Sequence, residues 1–202
     1  MDTAVESQER KLTARAREGD VQAFGALVAL YQERSIRLAY SLLGNWEDSR
    51  DAAQEAFVKA YQALKSFKSE SLFSTWFYRI LVNHCRDFQR RRKVRSHLAQ
   101  DIKGFEGEDE TSAENRIPSV SPDPLARTLD RELETRIRED LKTLPERQRT
   151  VFSLRYFDAM TLHEIAQTLM ISEGAVKAHL WQAGEKMKSR LSDYLEVKGV
   201  RP

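Results

Sequence analysis

A single cysteine, Cys85, occurs in 202 residues, so no intramolecular disulfide can form, and four histidines without a second thiol make a poor metal set. Glycine and proline number only 8 and 5, too few turn formers for an all-β fold. Nowhere do about 18 apolar residues run together, and Met1 to Arg17 carries charge throughout. These features argue against a membrane span and a secretory signal, and the expectation is a cytoplasmic protein without membrane insertion. Catalytic groups are missing as well. The histidines and the cysteine do not assemble into a nucleophile, a base and an orienting group, so neither an enzyme, a cofactor nor a small-molecule substrate is expected. His163-Glu164-Ile165-Ala166-Gln167 approaches a zinc-protease helix, but Gln167 stands where the second histidine ligand belongs.

What is present points to helices. Hydrophobic residues make up 41% and charged ones 32%, too apolar for disorder. The net charge of +2 hides an uneven distribution. Residues 1–95 carry 17 basic and 12 acidic side chains, 96–130 carry 3 and 8, and 131–202 carry 13 and 11. Two basic modules therefore flank an acidic connector. Between Arg95 and Arg131 periodicity disappears, and Gly104, Gly107, Pro118, Pro122 and Pro124 gather around the run Glu106 to Glu110. This composition reads as a flexible linker with a root-mean-square span of roughly 30–35 Å.

In the first module, Phe24, Leu27, Val28, Tyr31, Leu38 and Leu42 fall at helical spacing up to a stop at Gly44-Asn45. Asp48 sits where an N-cap belongs for a second helix, on which Ala52, Ala53, Ala56, Phe57, Ala60 and Tyr61 repeat every three or four residues. A third helix is expected from Ser71 or Ser74, with Phe73, Trp76, Phe77, Ile80 and Leu81 near one face and a basic end at Arg90-Arg91-Arg92-Lys93. In the second module, Pro145 suits the first position of a helix. Leu162 to Leu169 and a helix capped by Ser172 then meet across Met170-Ile171, the pattern of a helix-turn-helix. The fold class is all-α, with two small helical domains.

Three surfaces stand out. Arg86, Arg90, Arg91, Arg92, Lys93 and Arg95 concentrate positive potential suited to phosphate, although cations at a helix C-terminus also suit the macrodipole. The aromatics Phe67, Phe73, Trp76, Phe77 and Tyr78 lie just upstream. Trp76 and Phe77 read as core, whereas Ser66, Phe67 and Phe73, at the edges of a loop, are placed to face an unstacked base. Asp51, Gln54 and Glu55 lie off the alanine face of the second helix, as either a solvated surface or a docking one.

The segments Gly19-Asp20-Val21-Gln22-Ala23-Phe24, Asp51-Ala52-Ala53-Gln54-Glu55-Ala56-Phe57 and Phe73-Ser74-Thr75-Trp76-Phe77-Tyr78-Arg79-Ile80-Leu81-Val82-Asn83 resemble the second region of extracytoplasmic-function sigma factors. Leu144-Pro145-Glu146-Arg147-Gln148-Arg149 and Ile165-Ala166 to Val176-Lys177 resemble their fourth region. The resemblance implies a protein that joins core RNA polymerase and directs initiation at promoter DNA. On it, residues 1–95 dock on the polymerase and recognise and melt the −10 element, residues 96–130 form the acidic linker, and residues 131–202 read the −35 element.

Carried over motif by motif, Asp48, Asp51, Gln54 and Glu55 would dock on the clamp helices of the largest polymerase subunit. Asn83 would read an extruded −10 base, assisted by Ser66, Phe67, Phe73, Thr75, Trp76 and Arg79, with Arg86, Arg90, Arg91, Arg92 and Lys93 on the phosphates. Ser172, Glu173, Ala175, Lys177, Ala178, His179, Gln182 and Lys186 would face the −35 major groove. Many relatives carry several arginines there, so Lys177, His179, Gln182 and Gly184 imply an altered −35 preference. The acidic linker would mimic nucleic acid in the polymerase channel or act as a plain tether. An anti-sigma factor is implied too, one that would hold the chain at the inner membrane. The rival is an activator of the LuxR type, whose helix-turn-helix is similar, but residues 1–95 lack the strand alternation of a sensory domain.

Overall fold

The computed structural model describes residues 3–103, 135–137 and 139–197, with side chains for 5–95, 135–137 and 139–192. The described residues are helical, without a strand. The chain divides into two compact units, Met1–Glu114 and Asn115–Pro202.

In the first unit, α1 (Thr3–Arg17), α2 (Val21–Leu43), α3 (Trp46–Ala63), a 3₁₀ turn (Leu64–Ser66) and α4 (Phe73–Lys103) follow in order. Sequence periodicity missed α1, whose buried residues are few and partly polar. Asp20 caps α2 by accepting from the Ala23 N–H at 3.0 Å, and that bond, with the Arg15 guanidinium beside it, lowers the Asp20 carboxyl. At the other end Gly44 takes the left-handed conformation (φ 73°) in which its N–H reaches the Tyr40 carbonyl at 2.9 Å. The cap of α3 is Asn45, whose side chain accepts from the Asp48 N–H at 3.0 Å. Asp48 thus lies in the first turn instead of before it. The Tyr40 and Trp46 rings meet across this corner at 5.8 Å.

Ala52, Ala53, Ala56 and Ala60 are buried, and their small side chains let α3 lie close to α2 and α4. Rings fill the remaining space. Phe57 stacks on Phe77 at 4.2 Å, Phe77 on Phe73 at 5.7 Å, and Trp76 on Phe67 at 4.7 Å, each pair adding about 0.5–1.5 kcal/mol beyond its buried area. Cys85 lies in this core, and burial pushes its thiol up to about 12, so it is a packing residue and not a reactive one. Helix α4 continues to Lys103, eight residues into the segment expected as linker. The rest of that segment, 104–130, lies outside the described residues.

In the second unit, helical residues 139–142 precede α5 (Glu146–Tyr156), α6 (Leu162–Leu169) and α7 (Glu173–Val197). Pro145 is the cap of α5, one position before its expected place. Leu141, Leu144, Ala183 and Met187 form a buried cluster with Ile137 and Phe152 against it. The helix-turn-helix is set by three local devices. Thr161 and Glu164 form a reciprocal capping box that starts α6. Met170 turns the chain in the left-handed region at φ 55°, unusual for a residue with a Cβ. The Ser172 hydroxyl accepts from the Ala175 N–H at 3.1 Å and starts α7.

Candidate nucleic-acid interface

Helix α4 divides lengthwise. Phe73, Phe77, Leu81 and Cys85 are buried, whereas Trp76, Arg79, Asn83, Arg86 and Arg90 all reach the surface. The second set recurs in steps of three and four residues, one helical face about 21 Å long at 1.5 Å per residue. Trp76 is partly exposed at its upper end, and Asn83 is exposed at its middle.

Three residues expected to meet a base at this loop are buried instead. Phe73 is 1% exposed and Thr75 is buried with it. Phe67 is buried under the stacked Trp76 ring. The loop-edge rings close the module's own core, Phe73 against Phe24 and Tyr31 of α2 and Phe67 against Trp76 of α4. Ser66 is exposed, its hydroxyl donating to the Ala63 carbonyl at 2.7 Å.

The basic residues beyond Asn83 fan out around the helix. Arg90 lies 3.9 Å from Asp87, one turn back. Arg92 turns to α3 and lies 3.9 Å from Asp48. Arg91 and Lys93 are exposed.

The four acidic and amide residues expected on one docking surface separate into two pairs. Asp51 and Gln54 border a groove between α2 and α3, lined by Val21, Val28, Val58 and Tyr61 among others. Val58 is 50% exposed and Val21 and Tyr61 are exposed too, so the groove offers an apolar strip with a polar rim, the composition of a protein-binding surface. Asp48 and Glu55, seven residues apart, face α4 instead.

Glu55 Oε2 lies 3.3 Å from His84 Nε2, and His84 Nδ1 lies 2.6 Å from Lys59 Nζ. The ammonium must donate to Nδ1, so the neutral ring carries its proton on Nε2 and donates it to Glu55. Burial, aided by the Lys59 charge, holds the His84 imidazole below its ordinary 6.5. Sequence reasoning missed His84 and the apolar strip: a lone histidine carries no signal, and Tyr61 shares the packing period of its neighbours.

In the second unit, Val176, Ala183 and Met187 bury one side of α7. Lys177, Ala178 and Trp181 are exposed on the opposite side. Trp181, 69% exposed and one turn after Lys177, was not among the expected contacts. Several that were expected have structural partners. Ser172 caps the helix. Glu173 meets His163 Nδ1 at 3.0 Å. Gln182 Oε1 accepts from Gln148 Nε2 at 2.7 Å, and Lys186 Nζ donates to Gln148 Oε1 at 3.1 Å. His179 is half-buried, with Nδ1 shut from solvent, and Ala175 is half-buried beside it. Among the described residues no three His, Cys, Asp or Glu side chains group as metal ligands, and no helix is long and apolar enough to cross a membrane.

Residues 27–95 match the family Sigma-70 region 2, and residues 141–189 match Sigma-70, region 4. The ECF RNA polymerase sigma factor SigW of Bacillus subtilis is 33% identical over 94% of this chain and 100% of its own length. The RNA polymerase sigma-H factor of Pseudomonas aeruginosa is 32% identical over 94% of this chain and 97% of its own. Among solved structures, CnrH in complex with the cytosolic domain of CnrY is similar at a TM-score of 0.65 and 25% identity, covering 92% of this chain and 98% of that one. Two sigma-70 regions in their proper order, within relatives matched end to end, identify the chain as a member of the extracytoplasmic-function RNA polymerase sigma factors.

Proposed function

We propose that three separate surfaces of this chain carry out the work of an extracytoplasmic-function sigma factor. Such factors direct promoter-specific initiation by RNA polymerase and are not enzymes. On this reading the face Trp76-Arg79-Asn83-Arg86-Arg90 takes the opened −10 strand. The Asn83 amide, which both donates and accepts, meets the edge of an extruded base, and the arginines hold phosphates. Ser66 and Lys93 flank this face, whereas Arg91 and Arg92 contribute field more than contact. Strand opening is then a binding event: bases are captured as they leave the stack.

The groove bordered by Asp51 and Gln54 docks the polymerase clamp helices. Asp48 and Glu55 support it from behind through Arg92 and His84. The outer side of α7, with Lys177, Ala178 and Trp181, enters the −35 major groove, led by the helix N-terminus at Ser172, Glu173 and Ala175. His179, Gln182 and Lys186 shape that surface from its edge. Residues 1–95 and 131–202 act as the two reading modules, with 96–130 between them.

The observation that carries this reading is the unburied face of α4, a continuous aromatic, amide and basic series to which the polymerase groove contributes no residue. CnrH, a quarter identical, has been captured with the cytosolic domain of CnrY, which supports a protein regulator here too: an anti-sigma factor holding a cytoplasmic chain at the inner membrane. The test is run-off transcription. Core polymerase with this chain alone should start at a cognate promoter, and a requirement for a holoenzyme already present would make the chain an activator.

A further inference from the structure

Helix α1 lies outside the residues that match region 2, yet it grips the loop 67–72 that leads into the −10-reading helix. That loop passes through Ser69 at φ 58°, a left-handed conformation that a residue with a Cβ holds only when its surroundings fix it. Arg17 Nη1 donates to the Ser69 hydroxyl at 3.1 Å, across 52 residues of chain.

At the far end of the loop α4 begins after Leu72, whose side chain has nothing with which to cap a helix. The missing acceptor comes from α1. Glu9, fully buried, accepts the Ser74 backbone N–H on Oε1 at 2.8 Å and the Ser74 hydroxyl on Oε2 at 3.4 Å. The Tyr31 hydroxyl donates to the same oxygen. A carboxylate at a helix N-terminus is favoured by the macrodipole, and a buried one needs all of these donors. Phe67, at the start of the loop, stacks on Trp76, so a displaced loop displaces the top of the reading face.

We propose that α1 is a positioning clamp for the −10 pocket, with Arg17 fixing the middle of the loop through Ser69 and Glu9 fixing its end through Ser74. This rests on the reading of α4 as the −10 surface and adds what sets the geometry of its upper end. Neither residue need touch DNA.

The test uses the full chain assembled with core RNA polymerase and a random pool of single-stranded DNA hexamers, whose bound fraction is sequenced. The wild type should enrich a preferred hexamer. Arg17→Ala and Ser69→Ala should each weaken the preference at one nucleotide position roughly fivefold, the equivalent of one hydrogen bond, and the double variant should lose no more than either alone. Any fall in melting temperature should be small, because the pair makes a single exposed hydrogen bond, and the salt dependence of binding should not change, because the phosphate contacts stay. Glu9→Gln, which keeps an acceptor for the Ser74 N–H, should lose less preference than Glu9→Ala. If the wild type shows a preference and both Arg17→Ala and Ser69→Ala retain it in full, or lose it equally at every position, the clamp is overturned while the −10 surface stands. If the wild type enriches nothing, the −10 reading falls and the clamp with it.

Discussion

Among the described residues, helices α4 and α7 are each the longest of their unit, at 31 and 25 residues, and each is the proposed reading helix of its unit, but they use polar residues differently. On α4 a buried aromatic stripe fixes the helix, which leaves the opposite face to Arg79, Asn83, Arg86 and Arg90. On α7 the polar residues help to hold the unit together: Gln182 and Lys186 both bind Gln148, and Glu173 meets His163. Aromatic residues reverse as well. Phe67 and Phe73, placed by their loop to meet a base, are core, whereas Trp181, in the middle of a helix, stands in solvent. Where an apolar core already secures the helix, its polar residues are left to the surface; where polar side chains do that job, they take partners within the unit.

The contrast is open to attack in order of effect. Phe73→Ala should cost about 3–5 kcal/mol of stability, read as a lowered urea midpoint; unchanged stability with lost −10 binding would return Phe73 to the DNA surface. Trp181→Ala and Lys177→Ala should keep stability within about 0.5 kcal/mol and each weaken −35 duplex binding by about 1–3 kcal/mol. Lys177→Ala should also reduce the salt slope by about one. Titrations of labelled duplex at several salt concentrations measure both. Gln182→Ala should act the other way, costing about 1 kcal/mol of stability for the lost Gln148 bond while base preference at −35 holds.

The smallest effect concerns pH. Folding depresses the His84 pKa, so as pH falls below about 6.5 the unfolded chain takes up a proton that the folded one resists. Stability contributed by the neutral ring is therefore present above 6.5 and lost as pH falls through the folded value. His84→Gln should flatten that part of the urea-midpoint profile and leave the rest.

Much of the architecture was legible in the sequence because the alanine and aromatic periods of α2, α3 and α4 and the Ser172 cap are strong local signals. Helix α1 was not, since its fixed point is a buried carboxylate, Glu9, whose partners lie 22 and 65 residues away. The start of α3 was displaced because two polar residues three positions apart, Asn45 and Asp48, both suit a cap and only backbone geometry decides between them. Among site residues, the exposed face of α4 follows from charge and period. The separation of Asp51 and Gln54 from Asp48 and Glu55 depends on which neighbour each side of α3 meets. Trp181 was hidden because an aromatic in a helix usually reads as core.

The most direct test of separate reading surfaces is transcription from a promoter library randomised through both elements, with wild-type and Asn83→Ala chains on core polymerase. The expected result is a loss of preference confined to one position of the −10 element, with −35 preferences and chain stability unchanged. Unaltered −10 preference, or a loss spread across both elements, would contradict it.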